Sequence, residues 1–215
     1  MIIVFIVLLG FILFYLSLIG FNKKINLDKQ HLFFSYILFS ISFFFFAKLF
    51  NVIVDWNIDG YNLYLNGDFI DKINFILSGY SFIGGYIGGI MVLLIYGKAI
   101  KIDIHKILSL YLPSLLLLYS ILKFICLKLW CCESDIVPIQ LIEIVINFIL
   151  YVIIFIKYKK LNSNKIIAYS LICFGGCRFV LSFFRNYIFT KSFYIIELIC
   201  LIIFIIGIIF NKKKK

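Results

Sequence analysis

Charged side chains inside long apolar runs are the residues of this sequence best able to do chemistry. Six of them stand in such runs or at their ends: Lys48, Lys123, Arg178, Arg185, Glu143 and Glu197. A charge inside a membrane span costs about 2.5–3.5 kcal/mol on insertion scales, so it usually faces a bundle interior or a wet cavity. We expect this of Arg178 and Lys48. The helix-end positions of Lys123 and Arg185 are also compatible with snorkelling to the membrane surface.

One apolar run carries a polar stripe around its carboxylate. Gln140, Glu143 and Asn147 stand at i, i+3 and i+7, so a helix presents them on one face. The stripe has two interpretations: interhelical hydrogen bonds worth less than about 2 kcal/mol each, or a carboxylate paired with a cation. Because a carboxylate is costly in lipid, we favour a partner cation for Glu143.

A later run presents cations at the same helical spacing. Arg178, Ser182 and Arg185 stand at i, i+4 and i+7, which gives that predicted helix one cationic face. A guanidinium binds phosphate through two parallel hydrogen bonds and keeps its charge at any working pH. A structural ion pair between Arg178 and Glu143 is compatible with phosphate binding at the same place.

A glycine-rich segment, SFIGGYIGG, opens the third predicted helix from Ser81 to Gly89. Gly84 and Gly88 stand four residues apart, as do Gly85 and Gly89. This spacing is typical of close helix packing in membranes. The alternative is that the missing side chains let backbone N–H groups approach an anionic head group. The spacing alone does not choose between the two.

Familiar hydrolytic and metal motifs are missing from the sequence. The two histidines, His31 and His105, fall at predicted cytoplasmic helix ends, so an outward-facing site has no imidazole base. There is no GxSxG, HExxH or GxxxxGK[ST] motif. The cysteine spacing fits no common zinc pattern, although Cys131 and Cys132 are placed where a disulfide is possible. We assign no metal ion and no cofactor.

The composition requires a membrane protein to position these residues. Of 215 residues, 64% are apolar and 14% charged, and the mean hydropathy is +1.12. We therefore expect an all-α integral membrane protein in which residues 1–215 form a single polytopic domain. The first run lacks a basic leader and a cleavage site, so we keep it as a helix. The seven predicted transmembrane helices lie near 1–21, 31–54, 78–97, 107–125, 139–156, 166–186 and 193–210.

The distribution of basic residues predicts the orientation of this bundle. The segments 22–30, 98–106, 157–165 and 211–215 hold fourteen Lys or Arg residues, and the alternate segments hold three. The positive-inside rule therefore places the N-terminus outside and the C-terminus in the cytoplasm. Because the formal charge of +11 lies between apolar runs, we expect no nucleic-acid partner.

Taken in order, five short blocks resemble the prolipoprotein diacylglyceryl transferase family between about residue 44 and residue 186. The blocks are Ala47-Lys48-Leu49 with Val52 (family Gly-Arg), SFIGGYIGG (family SFHGG), Lys123 at the signature arginine, PIQLIE (family PxQLYE) and RFVLSFFR (family RFxxEFFR). The departures from the family pattern include three replaced polar residues, where Ile83 stands for the histidine, Lys123 for the arginine and Ser182 for the glutamate, and the loss of glycines around Ile125 and Trp130.

The resemblance implies a bacterial plasma-membrane enzyme that moves a diacylglyceryl group from phosphatidylglycerol to the lipobox cysteine thiol of secreted precursors. The implied partners are therefore phosphatidylglycerol, lipobox-containing precursors and the lipid bilayer. The resemblance gives Arg178 and Lys123 the phosphate, and Glu143 the orientation of these cations. The implied substrate-binding residues are Lys48, Ser81, Gly84, Gly85, Gln140 and Arg185.

Two other classes of function remain open from the sequence. A catalytically degenerate relative would keep the cations and act as a lipid-binding or scaffold protein, since the three replaced positions remove polar contacts. A transporter is the third class, but the sequence shows no convincing internal repeat.

Overall fold

A computed structural model describes residues 2–54, 68, 80–129, 139–184 and 191–212. The described residues form seven α-helices and contain no strand. In chain order the helices are α1 (Ile2–Ile25), α2 (Lys29–Val54), α3 (Phe82–Ala99), α4 (Ile104–Leu129), α5 (Ile139–Lys157), α6 (Ser163–Ser182) and α7 (Lys191–Lys212). Each is long and apolar enough to cross a bilayer.

The predicted all-helical membrane fold is therefore confirmed for the described part of the chain. Several helices are longer than their apolar runs: α1 continues through Lys23 and Lys24, and α4 begins three residues before the predicted start. Backbone hydrogen bonding continues past the hydrocarbon because the lysine ammonium groups can extend to water. The orientation of the termini and the single polytopic domain stay predictions.

Two compact units divide the chain. The first joins Met1–Phe33 to Gly97–Lys215, and the second comprises Phe34–Tyr96. In the first unit, α4 is the most buried of the described helices and contacts α1, α5 and α6. The hydroxyls of Ser17 on α1 and Ser114 on α4 lie 2.8 Å apart in a hydrogen bond. The helix that packs most closely within this unit is thus the one that carries Lys123.

The ends of α1 and α5 are tied together in the first unit. Lys24 Nζ donates 2.8 Å to the backbone oxygen of Tyr158 and also to that of Leu161. A cation is favoured there because the last carbonyls of a helix lack partners and carry partial negative charge. Phe21 packs edge-on against Tyr158, with 5.2 Å between ring centroids. This contact holds the first helix against the end of the fifth.

The second unit pairs α2 with α3 through the glycine-rich segment. A Cβ added to Gly84 would lie 2.2 Å from Phe50 Cβ, and one added to Gly88 would lie 2.2 Å from Phe46 Cβ. The backbone N–H of Ser81 donates 3.0 Å to the Ala47 oxygen. These glycines therefore pack against α2, in agreement with the small-residue interpretation.

Candidate functional site

The polar stripe of α5 faces the protein interior. Gln140, Glu143 and Asn147 are buried, and Glu143 has no exposed surface. The intervening side chains Leu141 and Val145 are exposed at 43% and 46%, as expected for residues that contact lipid. The i, i+3, i+7 pattern therefore brings the carboxylate of α5 into the packed bundle.

Lys123 provides the first cation beside this carboxylate. Its Nζ lies 2.8 Å from Glu143 Oε2, and the side chain is 7% exposed. The four-carbon stem runs into the bundle from α4 and not out to the membrane surface. A partner cation is expected for Glu143 from the sequence. Lys123 is the cation in closest contact with it.

Arg178 provides the second cation, from α6. Its Nη1 lies 3.9 Å from Glu143 Oε1, which is an ion-pair distance but longer than a hydrogen bond. The same nitrogen donates a 2.6 Å hydrogen bond to the Tyr119 hydroxyl. The side chain is 11% exposed. Arg178 and Glu143 are therefore linked through an intervening side chain.

Tyr119 is the residue that the sequence analysis missed. Its hydroxyl donates 2.9 Å to Glu143 Oε2 and accepts from Arg178. Its ring lies under both cations, 5.7 Å from Lys123 Nζ and 5.8 Å from Arg178 Cζ, and meets Phe174 edge-on. The available signal was its position one helical turn before Lys123, which places both on one face of α4.

These four side chains, Tyr119, Lys123, Glu143 and Arg178, form what we call the buried ion cluster. Two cations and one carboxylate give it a formal charge of +1. Little surrounding water screens that charge, so electrostatic attraction is stronger there than at a surface. Because the cations come from different helices, α4 and α6, the cluster is suited to binding a small anion such as a phosphate group.

Other polar residues nearby make local bonds. Asn147 Nδ2 donates 2.8 Å to the Glu143 backbone oxygen, while its buried Oδ1 has no hydrogen bond in the described structure. Ser182, which stands where the family pattern has glutamate, is buried and bonds to the Phe179 backbone oxygen at 2.7 Å. A serine bonded to its own helix cannot replace the reach of a carboxylate.

Four predicted site residues lie in the second unit: Lys48, Ser81, Gly84 and Gly85. Lys48 Nζ lies 5.6 Å from the centroid of the Tyr80 ring. Gly84 and Gly88 line an apolar groove of about 150 Å³, together with side chains of α2. Ile83, at the position of the family histidine, is buried. Their roles in binding stay predictions.

Arg185, Cys131 and Cys132 lie outside the described residues. Cys173 and Cys177 are free thiols. Within the described ranges no three or more His, Cys, Asp and Glu side chains come together as metal ligands would. The ion cluster brings together charged side chains from three helices, α4, α5 and α6.

Comparison with known protein families gives a match for this chain. The family model described as prolipoprotein diacylglyceryl transferase matches residues 4–211, nearly the whole chain. No curated protein matches the chain.

Proposed function

The chain belongs to the prolipoprotein diacylglyceryl transferase family, and we propose that it transfers the diacylglyceryl group of phosphatidylglycerol to the lipobox cysteine of lipoprotein precursors. Membership supports a transferase-like role on prolipoproteins in a multi-pass membrane protein. The observation that carries the choice of donor is the buried ion cluster, because its positive charge suits an anionic phospholipid. The proposed location is the bacterial plasma membrane.

The proposed reaction is a substitution at the glyceryl C3 carbon. The cysteine sulfur forms a thioether bond to C3 as the bond from C3 to the phosphate oxygen breaks. The electron pair of that bond leaves with glycerol phosphate, and the thiol proton ends on the released phosphate or in solvent. Negative charge therefore develops on the leaving oxygen, where a positioned cation lowers the barrier.

We assign the catalytic contacts to Arg178 and Lys123, which would hold the phosphate and stabilise the leaving group. Glu143 would hold both cations, since it lies within 4 Å of each. Gln140 shares its helix face and would support the same arrangement. Lys48, Ser81, Gly84, Gly85 and Arg185 are proposed as head-group contacts.

The depth of the cluster in the membrane supports a lipid head group as ligand. We propose that the N-terminus is outside and the C-terminus cytoplasmic in a single polytopic domain, so that α5 begins at the outer surface. Glu143 then lies about 6 Å below the first residue of α5, at 1.5 Å per helical residue. That depth is just inside the hydrocarbon of the outer leaflet, close below the head groups, where the donor and a secreted precursor could both arrive.

A lipid-binding relative without transfer activity is the second candidate. It is favoured by the buried Ile83 and by Ser182, whose hydroxyl bonds to its own helix. Both positions lack the ionisable group of the family pattern. A thiol with a pKa near 8.5 is still a few per cent ionised at neutral pH, so this loss lowers the rate without forbidding transfer.

The deciding experiment is transfer by the purified protein in vesicles that contain phosphatidylglycerol and a lipobox-cysteine peptide. Mass spectrometry should detect the diacylglyceryl thioether. Arg178→Ala should abolish the product, whereas Lys106→Ala, which removes an exposed cation of α4, should leave it unchanged. Absence of product from the unaltered protein, with phosphatidylglycerol bound through Arg178, would favour the lipid-binding candidate.

A further inference from the structure

The Tyr119 hydroxyl lies between two groups of opposite charge. It accepts from Arg178 Nη1 at 2.6 Å and donates to Glu143 Oε2 at 2.9 Å. Arg178 and Glu143 themselves come no closer than 3.9 Å. A buried guanidinium and carboxylate normally close to a direct, often two-pronged contact at about 2.7–2.9 Å. The tyrosine therefore occupies the position in which a direct contact would form.

From this geometry we propose that Tyr119 is a positioning residue that separates Arg178 from Glu143 and so directs the guanidinium to the phosphate of the lipid. The inference rests on the proposed function, specifically on the cluster binding a phospholipid phosphate. Without the hydroxyl, Arg178 would close onto Oε1 of Glu143. Its attraction for a second anion would fall, because the carboxylate would neutralise it at contact distance.

The phenol suits this role for two reasons. Its oxygen accepts from the cation while its proton is given to the carboxylate, so the hydroxyl satisfies both ions without adding a charge. Its ring is also fixed: Tyr119 is fully buried, and Phe174 meets it edge-on with centroids 5.3 Å apart. A spacer works only if it cannot move aside.

Tyr119→Phe tests the spacer because it removes the hydroxyl and keeps the ring. The full-length protein in detergent would be titrated calorimetrically with short-chain phosphatidylglycerol, and with short-chain diacylglycerol as the lipid without a phosphate. Tyr119→Phe should weaken phosphatidylglycerol binding by about tenfold or more, the loss expected for one hydrogen bond to a charged group. Diacylglycerol binding should be unchanged. Tyr111→Phe, at another fully buried tyrosine of α4, should change neither.

A double-mutant cycle distinguishes the spacer role of the Tyr119 hydroxyl from a direct contact with lipid or a role in the fold. In a Glu143→Gln background there is no carboxylate to capture Arg178, so Tyr119→Phe should cost less than about twofold. If Glu143→Gln does not fold, Glu143→Asp is the second background: its carboxylate is one methylene further from Arg178, so Tyr119→Phe should cost less there than in the unaltered protein. An equal loss in both backgrounds would overturn the proposal, since the hydroxyl would then contact lipid or act on the fold. No loss in the single variant would also overturn it.

The transfer assay keeps this inference distinct from the proposed function. Tyr119→Phe should raise the KM for phosphatidylglycerol without altering the melting temperature of the protein. If the unaltered protein transfers and the cycle shows no coupling, the spacer is wrong and the function stands. If it binds the lipid with the expected coupling but makes no thioether, the transferase function is wrong and the spacer stands.

Discussion

At the scale of single residues, one carboxylate holds the site together. Glu143 Oε2 accepts from Lys123 and from Tyr119, while Arg178 lies near the other oxygen. A buried ion pair adds little net stability, because desolvation offsets much of the attraction. Removing one partner of the pair, in contrast, is strongly destabilising, because it leaves a buried charge without a counter-charge.

Glu143→Leu is therefore expected to lower the free energy of unfolding by about 3–5 kcal/mol. It leaves the buried Lys123 and the largely buried Arg178 without their shared carboxylate. Unfolding of the purified protein by SDS titration measures the change. Leu141→Ala on the same helix is the control, because Leu141 is lipid-exposed and its unfolding free energy should barely change. Similar losses in both variants would contradict an electrostatic role for Glu143.

A second residue-scale prediction concerns the identity of the cation. Arg178→Lys should keep the charge but reduce transfer by at least about tenfold, because an ammonium cannot bind phosphate through two parallel hydrogen bonds. The rate of thioether formation measures this. Lys165→Arg, an exchange at an exposed residue of α6, serves as the control. Full activity of Arg178→Lys would mean that only charge matters at this position.

The ionic members of the cluster could be predicted from the sequence, but the neutral one could not. Lys123, Glu143 and Arg178 stand out because charge is rare and costly inside apolar runs. Tyr119 is one of fourteen tyrosines, and its position one helical turn before Lys123 places it on the same face of α4 without showing where its hydroxyl bonds. Its role follows from the direction of its hydroxyl, which depends on how α4, α5 and α6 meet.

At the scale of elements, the cationic helix α6 is positioned by its contact with α7. A Cβ added to Gly175 would lie 2.7 Å from the backbone oxygen of Cys200 and 2.7 Å from the nitrogen of Phe204. A Cβ added to the adjacent Gly176 would meet only the Phe204 ring, at 3.1 Å or more. Backbone atoms cannot move aside as a ring can, so the two glycines should tolerate substitution differently.

Gly175→Ala should destabilise the protein by about 1–3 kcal/mol, the usual cost of overpacking. Gly176→Ala should be close to neutral, because a small ring shift is offset by the roughly 1 kcal/mol by which alanine is better than glycine in a helix. Melting temperatures of the two variants in the same detergent compare them directly. Equal stability would show that α7 is free to move away from α6.

The helices themselves could be predicted because lipid requires every backbone polar group to be bonded within its own segment. The contact between α6 and α7 could not be predicted, because Gly175 belongs to none of the small-xxx-small pairs noted in the sequence. The glycine pairs of α3 predicted a packing face, and the face does meet phenylalanines of α2. Which helix would cover it depends on tertiary packing that spacing does not encode.

At the scale of the whole molecule, the predicted orientation can be measured. Alkaline phosphatase, which is active only outside the cytoplasm, should be active when fused after Tyr80 and inactive when fused after Lys101. The physical reason is the excess of basic residues in the segments 22–30, 98–106, 157–165 and 211–215. A green fluorescent protein fused after Lys212 should fluoresce. The reverse pattern would place the ion cluster near the inner leaflet and contradict the use of secreted precursors.

The hydrogen bond between Ser17 and Ser114 has a consequence for biosynthesis. The two residues are 97 positions apart, and the first unit joins the start of the chain to its later helices. At about 5–20 residues per second, the ribosome needs about 5–20 s to make that stretch. During this interval α1 must wait in the bilayer or the insertion machinery without the helix that it packs against. The place of α1 in the bundle thus depends on helices that are synthesised after it.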